Sequence, residues 1–332
     1  MTHKPLLGIT MGDINGVGPE ILAKALARPE PWQHCQPIVL GSGAALDAAR
    51  VFAPDLLPLK FITERDSLDD LAECIPVWEG DTPIPAQQPG IIDPEAGRCA
   101  VEWIKTATHW AIEGKTAGLV TCPISKTCIY QAGYHYIGHT ELVAELSNSP
   151  GYRMCLFADA MRIVHNTGHL SLRDALDAIT VPRLLESIKI GYDALLRIGI
   201  VEPRIAVAGL NPHAGEDGAF GQEEVEIVAP AIAAACEQGM PCVGPVPPDT
   251  VFRRMALGEF DMVIALYHDQ GHIPLKLVAM DEGVNVTLGI PIVRTSVDHG
   301  TAFDIAGKGI ASEESLLAAI RLASQLVSQK ES

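Results

Sequence analysis

Short apolar runs alternate with amphipathic stretches along nearly the whole chain, and this alternation limits the possible folds more than any other feature. Leu6–Met11, Pro37–Gly41, Gly118–Cys122, Arg204–Leu210, Asp261–Tyr267 and Val284–Leu288 read as strands. Between and beyond them, Gly18–Ala27, Asp47–Phe52, Arg98–Glu113, Val181–Ile198, Glu223–Gln238 and Ser312–Ser328 have helical periodicity. Met154–Ala158 and Met161–His165 read as short strands flanking a turn at Asp159. Pro76, Pro83, Pro85, Pro89 and Pro94 mark a looser stretch expected to run over the surface. Strands that alternate with helices predict an α/β fold with a buried parallel sheet. The composition agrees: 48% of residues are hydrophobic but only 5% aromatic, so small aliphatic side chains must fill the core. At 332 residues the chain exceeds one ordinary core, which leaves one large domain or two lobes.

The formal net charge of -17 repels phosphate backbones and anionic bilayers, so neither nucleic acid nor membrane is an expected partner. An anionic substrate would need a local cluster of cations or a metal. No apolar run reaches the ~20 residues of a membrane span. Met1-Thr2-His3-Lys4-Pro5 leads directly into a strand, so no signal peptide is expected. The eight cysteines form no Cys-x-x-Cys pair. They read as buried free thiols of a cytoplasmic protein.

Unusual polar residues cluster after strands. Asn211-Pro212-His213 follows one, His268-Asp269-Gln270-Gly271-His272 another, and Asn166-Thr167-Gly168-His169 a third. In open α/β sheets ligands bind beyond the carboxyl ends of strands, which makes His169, His213 and His268 candidates to converge. Their spacing alone carries no metal signature. His165 and His169 would share a helical face, but the β-like Arg162–Val164 and Gly168 argue against a helix there. His268 and His272 have the spacing of the helical zinc-protease motif. Gly271 and Pro274 speak against a helix, and Asp269 stands where that motif has glutamate. Gly12–Glu20 makes a tight turn after the first strand, with Pro19 placed to open a helix. Gly138-His139-Thr140-Glu141 precedes an apolar helical run. Locally Thr140 reads as its N-cap; with His139 and the helix amides it would also make an anion site.

Taken together, Gly12–Glu20, Gly138–Glu141, His169–Asp174, Leu210–Glu216, Pro248–Phe252, Tyr267–Gly271 and Asn285–Gly309 resemble the 4-hydroxythreonine-4-phosphate dehydrogenase family of vitamin B6 biosynthesis. That family is related to the isopropylmalate and isocitrate dehydrogenases, whose adenosine-binding loop the run Thr295–Gly309 is similar to. The resemblance implies two αβα lobes with a cleft between them: residues 1–125 plus 295–332 on the nucleotide side, and 126–294 for metal, substrate and dimerisation. It implies a homodimer with a metal site shared between subunits and ligated by His169, His213 and His268. The metal is expected to be Zn, Co or Mg, with Zn favoured by three imidazoles. Substrate contacts fall on His139, Thr140, Lys276, Asn285 and Arg294, and Asp249 matches an acidic residue near the metal. NAD contacts fall on Gly12, Asp13, His299, Gly300 and Asp304. The Asp304 carboxylate would accept from the ribose hydroxyls and repel a 2'-phosphate.

The activity implied is oxidation and decarboxylation of a small phosphorylated hydroxy acid, 4-hydroxy-L-threonine phosphate. This chain departs from the family pattern at Ile14-Asn15, where Pro-Ala is usual, and at Gly168, where threonine is usual. The segment Gly271–Leu277, with His272, resembles a side branch acting on 4-phospho-D-threonate or 4-phospho-D-erythronate. His272 is therefore the candidate specificity residue. Two other classes remain: a metal-dependent hydrolase or lyase that uses the histidines without NAD, against which the Asp304 loop argues, and a catalytically silent binding protein, whose hallmark would be loss of a metal-ligand histidine.

Overall fold

The computed structural model describes residues 4–63, 73–158, 161–279 and 283–328. The chain divides into two compact units, Met1–Pro150 with Ile290–Glu331, and Gly151–Gly289.

The first unit opens with β1 (Leu6–Thr10), β2 (Gln36–Leu40), β3 (Leu59–Phe61), β4 (Ile75–Trp78) and β5 (Gly118–Thr121). β4 corrects the expectation of a loose surface stretch. It is buried up to Trp78 and lies between β2 and β3, with Pro76 in register with Lys60. Proline removes one ladder donor, which is why the pattern reads as loop. Burial of Ile75 and Val77 decides otherwise. The helix Pro94–Ile112 starts where Asp93 accepts from the Glu95 amide at 2.9 Å and buries Trp103, Ile104 and Ala107 on one face.

The second unit contains β6 (Arg153–Ala158), β7 (Met161–His165), β8 (Ile205–Ala208), β9 (Cys242–Val246), β10 (Met262–Ala265) and β11 (Val284–Leu288). Their order is β11-β6-β7-β10-β8-β9, antiparallel through β7 and parallel from there on. The expected strands on either side of Asp159 are present; Asp159 itself lies outside the described residues. β9 and the helix Pro248–Ala256 were not anticipated, because prolines interrupt both patterns.

His268–Val278 is a helix with Pro274 inside it, contrary to the expectation. An interior proline costs about 3 kcal/mol, but tertiary anchors hold this segment. Gln270 accepts from the Leu266 amide and donates to the Gly209 carbonyl, both at 2.7 Å, and Leu275 is fully buried. Packing overrides propensity here.

β12 (Val293–Val297) returns to the first unit beside β5 and completes the all-parallel order β3-β4-β2-β1-β5-β12. The helix Glu314–Ser328 follows. Because β1 is flanked by β2 and β5, the carboxyl ends of β1 and β5 form a topological switch point. Among the described residues no helix is long and apolar enough to cross a membrane.

Candidate functional site

Three clusters of polar side chains stand out, two in the first unit and one in the second. At the switch point, Gly12 has φ +73, and a Cβ there would lie 2.1 Å from the Pro123 carbonyl, so only glycine fits. The next amide, of Asp13, donates to that carbonyl at 2.9 Å. Asp13 is buried; its Oδ1 accepts from the Asn15 amide at 2.9 Å, while Oδ2 has no hydrogen-bond partner. Burial raises the Asp13 carboxyl above its usual range, against the lowering effect of the Asn15 amide. Asn15 is the departure noted in the sequence, and it ties this loop down. Its Oδ1 accepts from Gln88 N at 2.7 Å and its Nδ2 donates to Ile91 O at 3.1 Å.

The Gly-rich loop packs on the same turn. Val17 N donates to Thr301 O at 2.9 Å, and the Glu20 carboxylate accepts from the Gly309 and Ala311 amides at 3.0 and 2.8 Å. His299, Gly300 and Asp304 are exposed on this loop, and a Cβ on Gly300 would meet open space. The Gly12–Asp13 turn is therefore held against the 298–309 loop through Thr301. An unpartnered buried acceptor, open space at Gly300 and an exposed carboxylate at Asp304 fit a dinucleotide.

The second cluster surrounds Arg294 on β12. Its guanidinium is buried and donates to Thr121 Oγ1 at 2.7 Å and Thr140 Oγ1 at 3.3 Å. Burial depresses Arg294 to about 9, with Glu141 opposing. Thr140 sits in the first turn of the helix His139–Leu146; Gly138, not Thr140, is the N-cap. His139 is half-buried, and its Nε2 is enclosed without a partner. Burial and then the Arg294 charge hold the His139 ring neutral, well below its ordinary value. A buried cation, two hydroxyls, an imidazole nitrogen without a partner and helix amides are groups whose chemistry suits an anion. Thr121 was missed; as the last residue of β5 it carried no signal beyond its strand.

The third cluster, in the second unit, gathers four histidines. His169 and His268 line one pocket of about 270 Å³ with Tyr267 and Asp269. Their ring centroids are 5.4 Å apart. His268 Nδ1 donates to Asp269 Oδ1 at 2.7 Å, which leaves Nε2 bare for a metal. His272 stacks on His268, and His165 stands against His272. Burial, then neighbouring imidazoles, depress His165 strongly and His272 to about 4.

His213 is exposed elsewhere in the unit, its ring 6.2 Å from that of Phe220. It lies in a run of left-handed residues, His213–Asp217. Glu224 anchors this run by accepting from the Leu210 and Asn211 amides, both at 2.7 Å. Among the described residues of one chain, no three His, Cys, Asp or Glu side chains are placed to hold a metal. Within one chain, His169 and His268 are two imidazole donors of a kind that suits a divalent ion. Asp249 is exposed at the start of its helix and lines an apolar groove with Phe252 and Ile273 that shares Tyr267 and Asp269 with the histidine pocket. Lys276 and Asn285 are half-buried, on the helix His268–Val278 and on β11.

A family model described as "Pyridoxal phosphate biosynthetic protein PdxA" matches residues 33–323. The chain is 44% identical to the D-threonate 4-phosphate dehydrogenase of Salmonella typhimurium, over 96% of this chain and 98% of that protein. It is 43% identical to the 4-hydroxythreonine-4-phosphate dehydrogenase of Geobacter metallireducens, over 98% and 97%. The solved 4-hydroxythreonine-4-phosphate dehydrogenase of Klebsiella pneumoniae matches with a TM-score of 0.84 at 42% identity, covering 98% of this chain and 100% of that one. The two-lobed α/β fold is thus the one expected from the sequence. The chain belongs to the PdxA family and is an NAD-dependent dehydrogenase.

Proposed function

We propose that the enzyme oxidises and decarboxylates a 4-phosphorylated four-carbon 3-hydroxy acid. The observation that carries this reading is the anion corner. Arg294 is buried, hydrogen-bonded by Thr121 and Thr140, and set beside an imidazole nitrogen with no partner. Burial disfavours this charge and Glu141 supports it, and the substrate phosphate is the further anion proposed to meet it. Lys276 and Asn285 are assigned to the rest of the substrate, and Asp249 to a supporting role near the metal.

NAD, when bound, would supply the hydride acceptor for the C3 alcohol, and a divalent metal would supply Lewis acidity for the oxidation and decarboxylation. Asp13 Oδ2 supplies an acceptor to the cofactor, Gly12 permits the turn that carries Asp13, Gly300 leaves room for the cofactor, and Asp304 takes the ribose hydroxyls. His169 and His268 supply two metal donors. We assign the third to His213 of a second copy, which makes the site one of a homodimer. An apolar groove of about 580 Å³ edged by Ile273, Leu277 and Val278, all exposed, supports a partner on this unit. Zinc is the metal proposed, because neutral imidazoles suit it.

The substrate proposed is 4-hydroxy-L-threonine phosphate, giving 3-amino-2-oxopropyl phosphate. A second reading, 4-phospho-D-threonate or 4-phospho-D-erythronate giving dihydroxyacetone phosphate, is favoured by His272 and by the name of the Salmonella relative. NADH formation from the three compounds in parallel separates them. Preference for the amino substrate supports the first reading, and preference for a sugar-acid phosphate supports the second. NADH from none of them would overturn both.

A further inference from the structure

Two histidines outside the proposed ligand set brace His268. His165 ends β7 and is buried, and its Nδ1 lies 3.2 Å from the Met154 carbonyl oxygen. A carbonyl can only accept, so this Nδ1 carries the proton and Nε2 of the neutral ring presents a lone pair. That lone pair faces His272 Nδ1 at 3.0 Å. The same His272 nitrogen lies 3.2 Å from the His268 carbonyl oxygen. Two acceptors on one nitrogen make it the donor. A single proton assignment, Nδ1–H on both rings, therefore satisfies all three contacts. It is the tautomer that free histidine disfavours.

The backbone makes room for this arrangement. A Cβ on Gly271 would lie 2.5 Å from His165 Nε2 and 2.7 Å from Ile163 Cγ2, so only glycine lets His165 close on His272. His272 sits one helical turn beyond His268, and the two rings stack with centroids 3.6 Å apart and 12° between planes. Asp269 meanwhile fixes the protonation of the His268 ring through Nδ1 at 2.7 Å.

We propose that His272, with its tautomer set by His165, is a positioning residue that clamps the ring plane of His268 for metal ligation. This rests on the metal site proposed above. Groups that orient a ligating histidine typically change metal affinity by about 10–100-fold when lost.

Two measurements test the idea. Long-range ¹⁵N–¹H NMR of metal-free wild-type protein labelled at histidine should find both rings as Nδ1–H; an Nε2–H ring at either position overturns the proton assignment and the proposal. Affinity for Co²⁺, read by competition with a chromophoric chelator, should fall about 10–100-fold in His272→Ala and in His165→Phe. It should fall likewise in His272→Phe, which keeps a flat ring but loses the donor to His165, and stay within a few-fold of wild type in His165→Gln, which keeps an acceptor. Unchanged affinity in His272→Ala, with wild-type binding that depends on His268, would sink this proposal alone. No Co²⁺ uptake by wild type would sink the metal reading and this proposal with it.

Discussion

Arg294 Nη2 donates to Thr121 Oγ1 at 2.7 Å, joining a buried cation on β12 to the last residue of the neighbouring β5. Arg294 sits near the start of β12, in register with Leu119, and its side chain reaches the hydroxyl at the carboxyl end of β5 and Thr140 in the first turn of the helix His139–Leu146. Burial depresses this guanidinium to about 9 in spite of the opposing pull of Glu141, so on balance the fold disfavours its charge at neutral pH.

Arg294→Met should therefore keep or raise the Tm at neutral pH. The sign follows from the depression: below about 9 the folded protein holds a charge it disfavours, and the variant holds none. Its kcat/KM should drop about 100-fold, equivalent to ~3 kcal/mol. Inorganic phosphate should raise the Tm of wild type but not of the variant, by thermal denaturation. Equal stabilisation of both would remove Arg294 from the anion site.

Asp13→Asn should weaken NAD binding about tenfold, read as KM for NAD, while stabilising the fold at neutral pH. A carboxyl raised by burial contributes stability below its unfolded value of 3.8 that is lost as pH rises through its folded value. The Tm advantage of the variant should accordingly shrink as pH falls toward the carboxylate range. A variant less stable than wild type throughout would contradict this account of Asp13.

Glu224 behaves in the opposite sense. Burial pushes its carboxyl up, but hydrogen bonds from the Asn211 amide and side chain and from the Leu210 amide outweigh it and hold it below 4.5. Its contribution is present above 4.5 and is lost as pH falls through the folded value. Glu224→Gln should be less stable by about 1–3 kcal/mol at neutral pH and decline less steeply on acidification. Parallel acid melts for the two proteins would exclude this role.

The proposed sharing of the metal site predicts complementation. His169→Ala and His213→Ala should each be inactive as homodimers. Mixed and allowed to exchange subunits, they should regain activity, since each heterodimer would hold one intact site and one doubly broken one. No recovery despite demonstrated exchange would place all ligands on one chain or dismiss His213.

The strand–helix alternation was enough to read the α/β class, because buried strands and amphipathic helices leave opposite periodicities. Where it failed, proline was the cause. Pro76 hid β4 and Pro274 hid the helix His268–Val278; in both, long-range burial outweighed a local penalty that sequence registers first. The motif residues His139, Thr140 and Arg294 were legible because they sit in recognisable strings. Thr121, Asn15, His165 and Glu224 were not, since each acts through a partner distant in sequence that only the fold brings near. His213 could be named as a candidate ligand, but the described residues do not form a metal-holding group of three that includes it.

The most direct test of the central claim is stoichiometry: NADH and carbon dioxide formed by wild-type enzyme from the preferred 4-phosphorylated hydroxy acid, with and without a chelator. The account predicts equal amounts of both products and loss of both on chelation, restored by Zn²⁺ or Co²⁺. NADH without carbon dioxide, or turnover indifferent to chelator, would contradict it.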